Sequence, residues 1–491
     1  MNDWPADPRL DAGLRRLVDS ELEAARNDAV GPMPRPNVHR GRNGLAFAGL
    51  GFVAAIAIVA SLALRGAGTG LPAAGGPSAS HVAGTSPSPR QTPAATHQPD
   101  SVASGATETV PPINPVATTT PSPWFLPTGA PTHLHDTATL LLDGRVLFAG
   151  GYDPEVTGFL ATAEIYDPAT GKCTPTGSMA LGRVDETATR LLDGRVLFAG
   201  GLIASANPNE VTKSAEIYDP KTGKFTVTGS MVEARQFHTA TLLRDGRVLI
   251  TGGFDANRPA IAPMAFHPGF AGQPIRPDMV GGQGDIASAE LYDPATGKFS
   301  LTGPMSEGRD GHTAALLPDG RVLVFGLAHD GGGDPTDTSA EVYDPKTGKF
   351  SLTGSLNDPR AYAHTTPLAD GRILVTDGST DGRSAELYDE KTGKFTRTGE
   401  TNVSRSEFSA TLLSNGRVLI VGGYDLQNRN TLSSAEIYDP AMGEFSAAGS
   451  MTIERLGPLV TLLSDGRVLI VGGGYVDAAD GLVRSAELYV P

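Results

Sequence analysis

The phrase Asp-Gly-Arg-Val-Leu starts at Asp143, Asp193, Asp245, Asp319 and Asp465, and recurs with one change each at Asp370 (DGRIL) and Asn415 (NGRVL). Successive copies are separated by 50, 52, 74, 51, 45 and 50 residues. A repeat of this period constrains the fold more than any single residue does, because each unit must bury its apolar faces against its neighbours. Around each copy the same phrases return in order: a run such as HTATLL, the DGRVL phrase, a glycine pair, SAEIYDP, TGKF and TGSM. The HTATLL and RVLFAGG runs are short and β-rich, and Asp-Gly or Asn-Gly between them is a strong hairpin signal. AEIYDP reads as a third strand ended by proline, TGK as a second tight turn, and KFTVTGSM as a fourth strand. One unit is thus a four-stranded antiparallel meander, strands a to d, apolar enough on both faces to stack on its neighbours.

Glycine pairs end strand b at Gly150/Gly151, Gly200/Gly201, Gly252/Gly253, Gly422/Gly423 and Gly472/Gly473. A tyrosine on strand c is followed seven positions later by an aromatic on strand d in Tyr218/Phe225, Tyr292/Phe299, Tyr343/Phe350, Tyr388/Phe395 and Tyr438/Phe445. On these marks the segment 122–491 resembles the kelch family of β-propellers. Three copies depart from the pattern: Tyr166 is followed by Cys173, Gly326 by Leu327, and Asp377 precedes Gly378. Seven hairpins and seven third strands are present, but the last copy ends at SAELYVP without a fourth strand. Phe125-Leu126-Pro127-Thr128-Gly129 matches Phe225-Thr226-Val227-Thr228-Gly229, so the N-terminal segment is expected to supply that strand. The expectation is an all-β, seven-bladed kelch propeller over 122–491, closed by strand exchange between its ends, which leaves no exposed edge.

Upstream, residues 44–64 are 21 residues without a charge, long enough to cross a bilayer as a helix. Arg35, His39, Arg40 and Arg42 precede the run, and Arg65 alone follows it before Arg90. The positive-inside rule then leaves 1–43 in the cytoplasm and the propeller outside the cell. Its depth in the chain favours an uncleaved signal anchor over a cleaved signal peptide. Residues 65–121, rich in Pro, Ala, Ser and Thr, cannot bury enough apolar surface to order themselves and read as a linker. Residues 1–121 are charge-balanced, so the formal −15 belongs wholly to 122–491. Such a balance repels phosphate backbones, which excludes nucleic acid as a partner.

In a meander the a–b and c–d turns share one face of the ring, and the d–a and b–c loops the other. The first face hardly varies among the copies. The second carries connections from about five residues (379–383) to more than thirty (254–286), so local function belongs there. Ten residues before each hairpin stand Arg183, Arg235, Arg309, Arg360, Arg405 and Arg455, with His133 in the first copy. Just after the glycines come Tyr152, Leu202, Phe254, Tyr424 and Tyr475. Guanidinium forks beside aromatics suit a carboxylate-bearing protein or an acidic glycan. The kelch resemblance implies the same, since arginines at this place in related domains grip acidic peptides. Against this, each copy has a strand-c glutamate (Glu164, Glu216, Glu290, Glu341, Glu386, Glu436, Glu487), and the two sets could neutralise one another as struts between blades. The DGR arginines are expected to pair with the YDP aspartates across strands b and c.

The rival is an enzyme, because galactose oxidase-like radical-copper enzymes share the propeller. That chemistry needs a Cys crosslinked to a ligating Tyr, a second Tyr and two His. Cys173 stands where other copies have Phe, and His238 and His312 share one repeat position, with His364 one residue off it. Neither a metal nor another cofactor is expected. A surface-displayed binding module is the preferred reading over an oxidase or a purely structural envelope protein.

Overall fold

A computed structural model describes residues 123–153, 158–203, 210–255, 285–326, 337–379, 382–474 and 482–491. Residues 1–43, the apolar run 44–64, the segment to 121 and most of the insert 254–286 lie outside the described residues. Among those described, no helix is long and apolar enough to cross a membrane.

The described residues form seven four-stranded antiparallel sheets, with smaller two- and three-stranded pieces beside them. The third sheet is typical, with strand a at Thr239–Leu242, b at Val248–Thr251, c at Ala289–Asp293 and d at Lys298–Leu301. The hairpin between a and b forms because its residues satisfy one another. In the first sheet the Leu141 N–H donates to the Arg145 carbonyl at 2.8 Å, and Asp143 accepts the Arg145 N–H at 3.1 Å. Gly144, at φ 84, takes the left-handed conformation that the turn requires. Each DGR arginine also folds back on its own turn, as in Arg145–Asp143 at 2.7 Å and Arg247–Asp245 at 2.7 Å. This corrects the expected pairing with the YDP aspartates: a neighbour two residues away costs less chain ordering than one across two strands.

Seven apolar clusters fill the spaces between sheets. One packs Leu197, Ile217 and Met231 of the second sheet on Val248, Ile250 and Tyr292 of the third. Another joins the last sheet to the first, with Leu469 and Val471 on Val146 and Phe148. The innermost strands touch in cyclic order, and Leu459–Leu462 of the last returns to Thr137–Leu140 of the first. Phe125–Thr128 pairs antiparallel with Ala486–Tyr489, register Phe125↔Tyr489, and so supplies the fourth strand of the last sheet. This is the repeated-sheet architecture of a β-propeller.

Polar links stitch each sheet to the next. The Thr228 and Tyr292 hydroxyls hydrogen-bond at 2.9 Å, and the Gly229 N–H donates to the Gly297 carbonyl at 3.0 Å. A Cβ on Gly229 would lie 2.3 Å from that carbonyl, so only glycine fits the contact. On the same face, Arg195 donates to the Pro294 carbonyl at 3.3 Å and Arg467 to the Pro168 carbonyl at 3.0 Å. The Thr-Gly and Asp-Gly-Arg phrases are therefore devices for docking one sheet on the next.

Candidate functional site

Where the chain enters each innermost strand it changes direction. In the second sheet, Arg183–Val184 pairs with Leu202–Ile203 above the main sheet, and strand a begins only at Thr187. Asp185, between them, takes φ 59. The same repeat position holds Phe237 at φ 53, Gly311 at 54, Tyr362 at 54, Glu407 at 52 and Gly457 at 57. Glycine occupies this region freely. The other four each cost on the order of 1 kcal/mol there, so the fold imposes the conformation and their side chains are carried in spite of it. Backbone N–H groups donate between neighbouring sheets at this level: Asp185 N–H to the Asp136 side-chain Oδ2 at 3.0 Å, Tyr362 N–H to the Gly311 carbonyl at 2.9 Å, and Gly457 N–H to the Glu407 carbonyl at 2.7 Å. The position thus forms a rim around the channel mouth.

The rim is acidic. Tyr362 is 41% exposed and lies over Gly311, and burial together with Asp310, Asp185, Asp285 and Glu407 pushes its phenol up. Burial, opposed by the Asp185 N–H and by His135, pushes the Asp136 carboxyl up to about 6. Burial, then the Asp136 charge, pushes Asp185 up to about 7. Burial pushes Glu407 up to about 6. Asp377, in a glycine slot at φ 66, is likewise pushed by burial to about 7. Glu186 is raised well above the usual carboxylate range by burial and by Asp136.

The six arginines are placed differently. Each is at most 2% exposed. Arg235 donates to the Gly252 carbonyl at 2.7 Å, the Ser288 carbonyl at 3.1 Å, Ser288 Oγ at 3.1 Å and Glu290 Oε1 at 2.8 Å. Arg183, Arg360, Arg405 and Arg455 repeat this set on Glu216, Glu386, Glu436 and Glu487. Arg309 departs, with Asp337 at 3.3 Å and Glu341 at 3.7 Å. The glutamates also accept N–H groups of the d–a crossover, such as Val232 N to Glu290 at 2.7 Å. The Arg235 backbone is held by the preceding sheet, its N–H donating to the Thr212 carbonyl at 3.4 Å and its carbonyl accepting from Gly201 at 2.9 Å, so the pair braces one sheet on the next. A charge taken out of water needs every lone pair satisfied, and only the adjoining crossover offers the N–H groups.

His133 is half-buried and bonds Asp153 at 3.4 Å, and Asp153 also accepts from Arg484 at 3.0 Å. Tyr152, Phe254 and Tyr424 are half-buried, bridging to Phe159, to Gln236 and Asp285, and to Ser406 respectively. Leu202 is buried, and Tyr475 lies outside the described residues. The rim residues Asp185, Phe237 and Glu407 were not singled out by sequence, and Tyr362 only as a partial match, with His364, to the Tyr-His pair of copper oxidases. Their signal was available: two positions after each arginine, glycine alternates with bulky or acidic residues, the mark of a left-handed slot.

A family profile for the Kelch motif matches residues 408–452, which hold the sixth copy from Phe408 to Thr452. The fold is a kelch-type β-propeller. Among solved structures, this propeller is similar to a novel fungal alcohol oxidase with catalytic diversity among the AA5 family, in complex with copper. The likeness has a TM-score of 0.55 at 16% identity and covers 76% of each chain. At that identity it bears on fold alone. No curated protein matches the chain.

Proposed function

We propose that this kelch propeller is a binding protein displayed outside the cell. It has seven blades, one per four-stranded sheet, and hangs from a membrane helix at 44–64 by the 65–121 linker. It takes a protein or glycan ligand, and no nucleic acid, at the channel mouth on the d–a/b–c face. The observation that carries this reading is the rim, where Asp185, Phe237, Tyr362 and Glu407 occupy a left-handed slot that two other copies give to glycine. Backbone strain kept at a concave, solvent-facing position is a mark of function. The buried arginines support the scaffold, and the rim side chains meet the ligand.

The experiment is a peptide and glycan array probed with the full-length chain in nanodiscs, beside Phe237→Gly and Tyr362→Gly. Each change removes a side chain and relieves strain, so binding should fall while the melting temperature holds or rises. An unchanged binding profile would remove the rim from the site.

The copper-oxidase reading does not fit the donors. Cys173 lies opposite Tyr166, but the Tyr166 hydroxyl is bonded to Thr128 at 2.9 Å, and burial, then Glu164, pushes the thiol up to about 12. His238 Nε2 bonds Thr187 at 3.0 Å and His312 Nε2 bonds Thr239 at 3.1 Å, each in another sheet. Among the described residues no group of three His, Cys, Asp or Glu is placed to hold a metal ion.

A further inference from the structure

We propose that the channel opening on the a–b turn face binds an aliphatic carboxylate, with Arg190 as its counter-charge and the leucines that end the innermost strands as its apolar wall. This opening lies at the other end of the channel from the rim, so the site goes beyond the binding reading above.

The turns on this face are alike, but the residues that border the channel are not. Each innermost strand ends on a side chain that is only partly covered: Leu140, Leu242, Leu316, Leu412 and Leu462, with Pro367 in the fifth sheet and Arg190 in the second. Arg190 is the one charged member of that collar. Its Nη1 donates to the Leu140 carbonyl of the first sheet at 2.5 Å, and among the described residues no carboxylate pairs with it. A guanidinium set among leucines gives up water, and one carbonyl is a small return. The turn arginines of the same face are neutralised, as in Arg195–Asp193 at 2.7 Å and Arg372–Asp370 at 2.6 Å. Two residues further along the chain, on the same side of it, the position before each Asp-Gly or Asn-Gly also varies. It holds Leu142, Leu192, Arg244 and Pro318 in the first four sheets and passes to Ser414 and Ser464 in the last two. Leu142 and Leu192 are each 65% exposed. They lie over the next turn, where a Cβ on Gly194 would come 2.7 Å from Leu142 Cδ1 and one on Gly246 3.1 Å from Leu192 Cδ1. Arg244 donates to the Pro318 carbonyl, and among the described residues it too has no carboxylate partner. From the first sheet to the third, the opening therefore alternates exposed leucine with guanidinium. An aliphatic chain gains by covering those leucines, and its carboxylate gains a charge-assisted bond from Arg190. A peptide would lose the hydration of its amides against leucine side chains that offer them no partner, which favours a free acid.

The test is isothermal titration of decanoate into the full-length chain in phosphatidylcholine nanodiscs, with empty nanodiscs as the blank. Decanol, acetate and a peptide ending in three leucines with a free carboxylate are titrated in parallel. Decanoate should bind, and decanol and acetate should each bind at least about tenfold more weakly, since one lacks the charge and the other the chain. Arg190→Leu, which puts in the residue of five other copies, should cost about tenfold in decanoate affinity while the melting temperature holds or rises. Arg417→Ala removes a charge of the same sign from the same face, at the turn where Asn415 replaces aspartate, and should change little. The inference is overturned if decanoate gives no heat beyond the blank, if decanol binds as tightly as decanoate, or if Arg190→Leu leaves the affinity unchanged. It is also overturned if Arg417→Ala weakens binding as much as Arg190→Leu does. Binding of the leucine peptide in place of decanoate would overturn it and make the opening a peptide site. None of these outcomes bears on the rim, whose ligands are read by Phe237→Gly and Tyr362→Gly.

Discussion

Arg235 and Glu290 are both buried, with 2.8 Å between nitrogen and oxygen, and each satisfies the other as well as nearby backbone. Removing one partner strands a charge away from water, so Arg235→Ala should destabilise the propeller by about 3 kcal/mol or more, read by thermal melting. Arg235→Met with Glu290→Leu should recover much of that loss, because neither then leaves a buried charge unpaired. Rim carboxylates have the opposite linkage. Asp185 titrates higher in the folded chain than in the unfolded one, so the folded state holds more protons between about pH 4 and 7. The stability it contributes is present below its unfolded value and lost as pH rises through about 7. Buried His238 and His312, pushed down to about 3, act in the other direction below their ordinary value near 6.5. A comparison at one site separates the two effects. Relative to the unaltered chain, Asp185→Asn should be more stabilising at about pH 8 than at about pH 5, and asparagine tolerates φ 59 well. Equal shifts at the two pH values would sink the argument.

At the scale of strands and turns, the contact between sheets is as specific as the core. A Cβ at Gly303 would lie 2.3 Å from the Gly348 carbonyl of the next sheet, and the Gly303 N–H donates to that carbonyl at 2.9 Å. Gly303→Ala should therefore cost on the order of 2 kcal/mol by forcing the sheets apart. Thr302→Val, which loses the 2.8 Å bond to Tyr343 and the 3.3 Å bond to the Gly348 carbonyl, should cost about 1 kcal/mol. Equal effects in denaturant melts would show that close approach is not what the glycine serves. The seam between the sixth and seventh sheets lacks this pair of links, because Ala448 stands in the threonine position. There Phe125, 3% exposed, packs on Tyr489 of its own sheet at 5.1 Å between centroids, and both join an apolar cluster with Leu419, Val421 and Ile437 of the sixth sheet. Phe125→Ala should destabilise the ring by about 3 kcal/mol. Deleting 123–129 should expose the edge of Ala486–Tyr489 and promote self-association, measured by light scattering.

For the whole molecule, the formal −15 sits on the propeller segment and none of it on residues 1–121. That balance disfavours a polyanion. If residues 44–64 anchor the chain, the full-length protein should sediment with membranes and resist alkaline carbonate, and a chain beginning at Gly66 should stay in the supernatant. External protease should then cut the full-length protein within the 65–121 linker and release the propeller intact. Resistance of the linker in whole cells, with cleavage only after lysis, would reverse the orientation.

Repetition made the fold legible. Strands, hairpin turns and the match of Phe125–Gly129 to Phe225–Gly229 could be read because each phrase recurs with its local partners nearby in sequence. The roles of the arginines and glutamates could not be read that way. Arg235 and Glu290 are fifty-five residues apart in the chain, and their burial depends on how the crossover lies on its sheet. Likewise, Asp136 and Asp185 become one acidic rim only because the ring sets successive entry points side by side. Local chemistry determined the strands and their turns. Long-range packing decided which charges face water, because only closure of the ring removes water from one set and leaves it at the other.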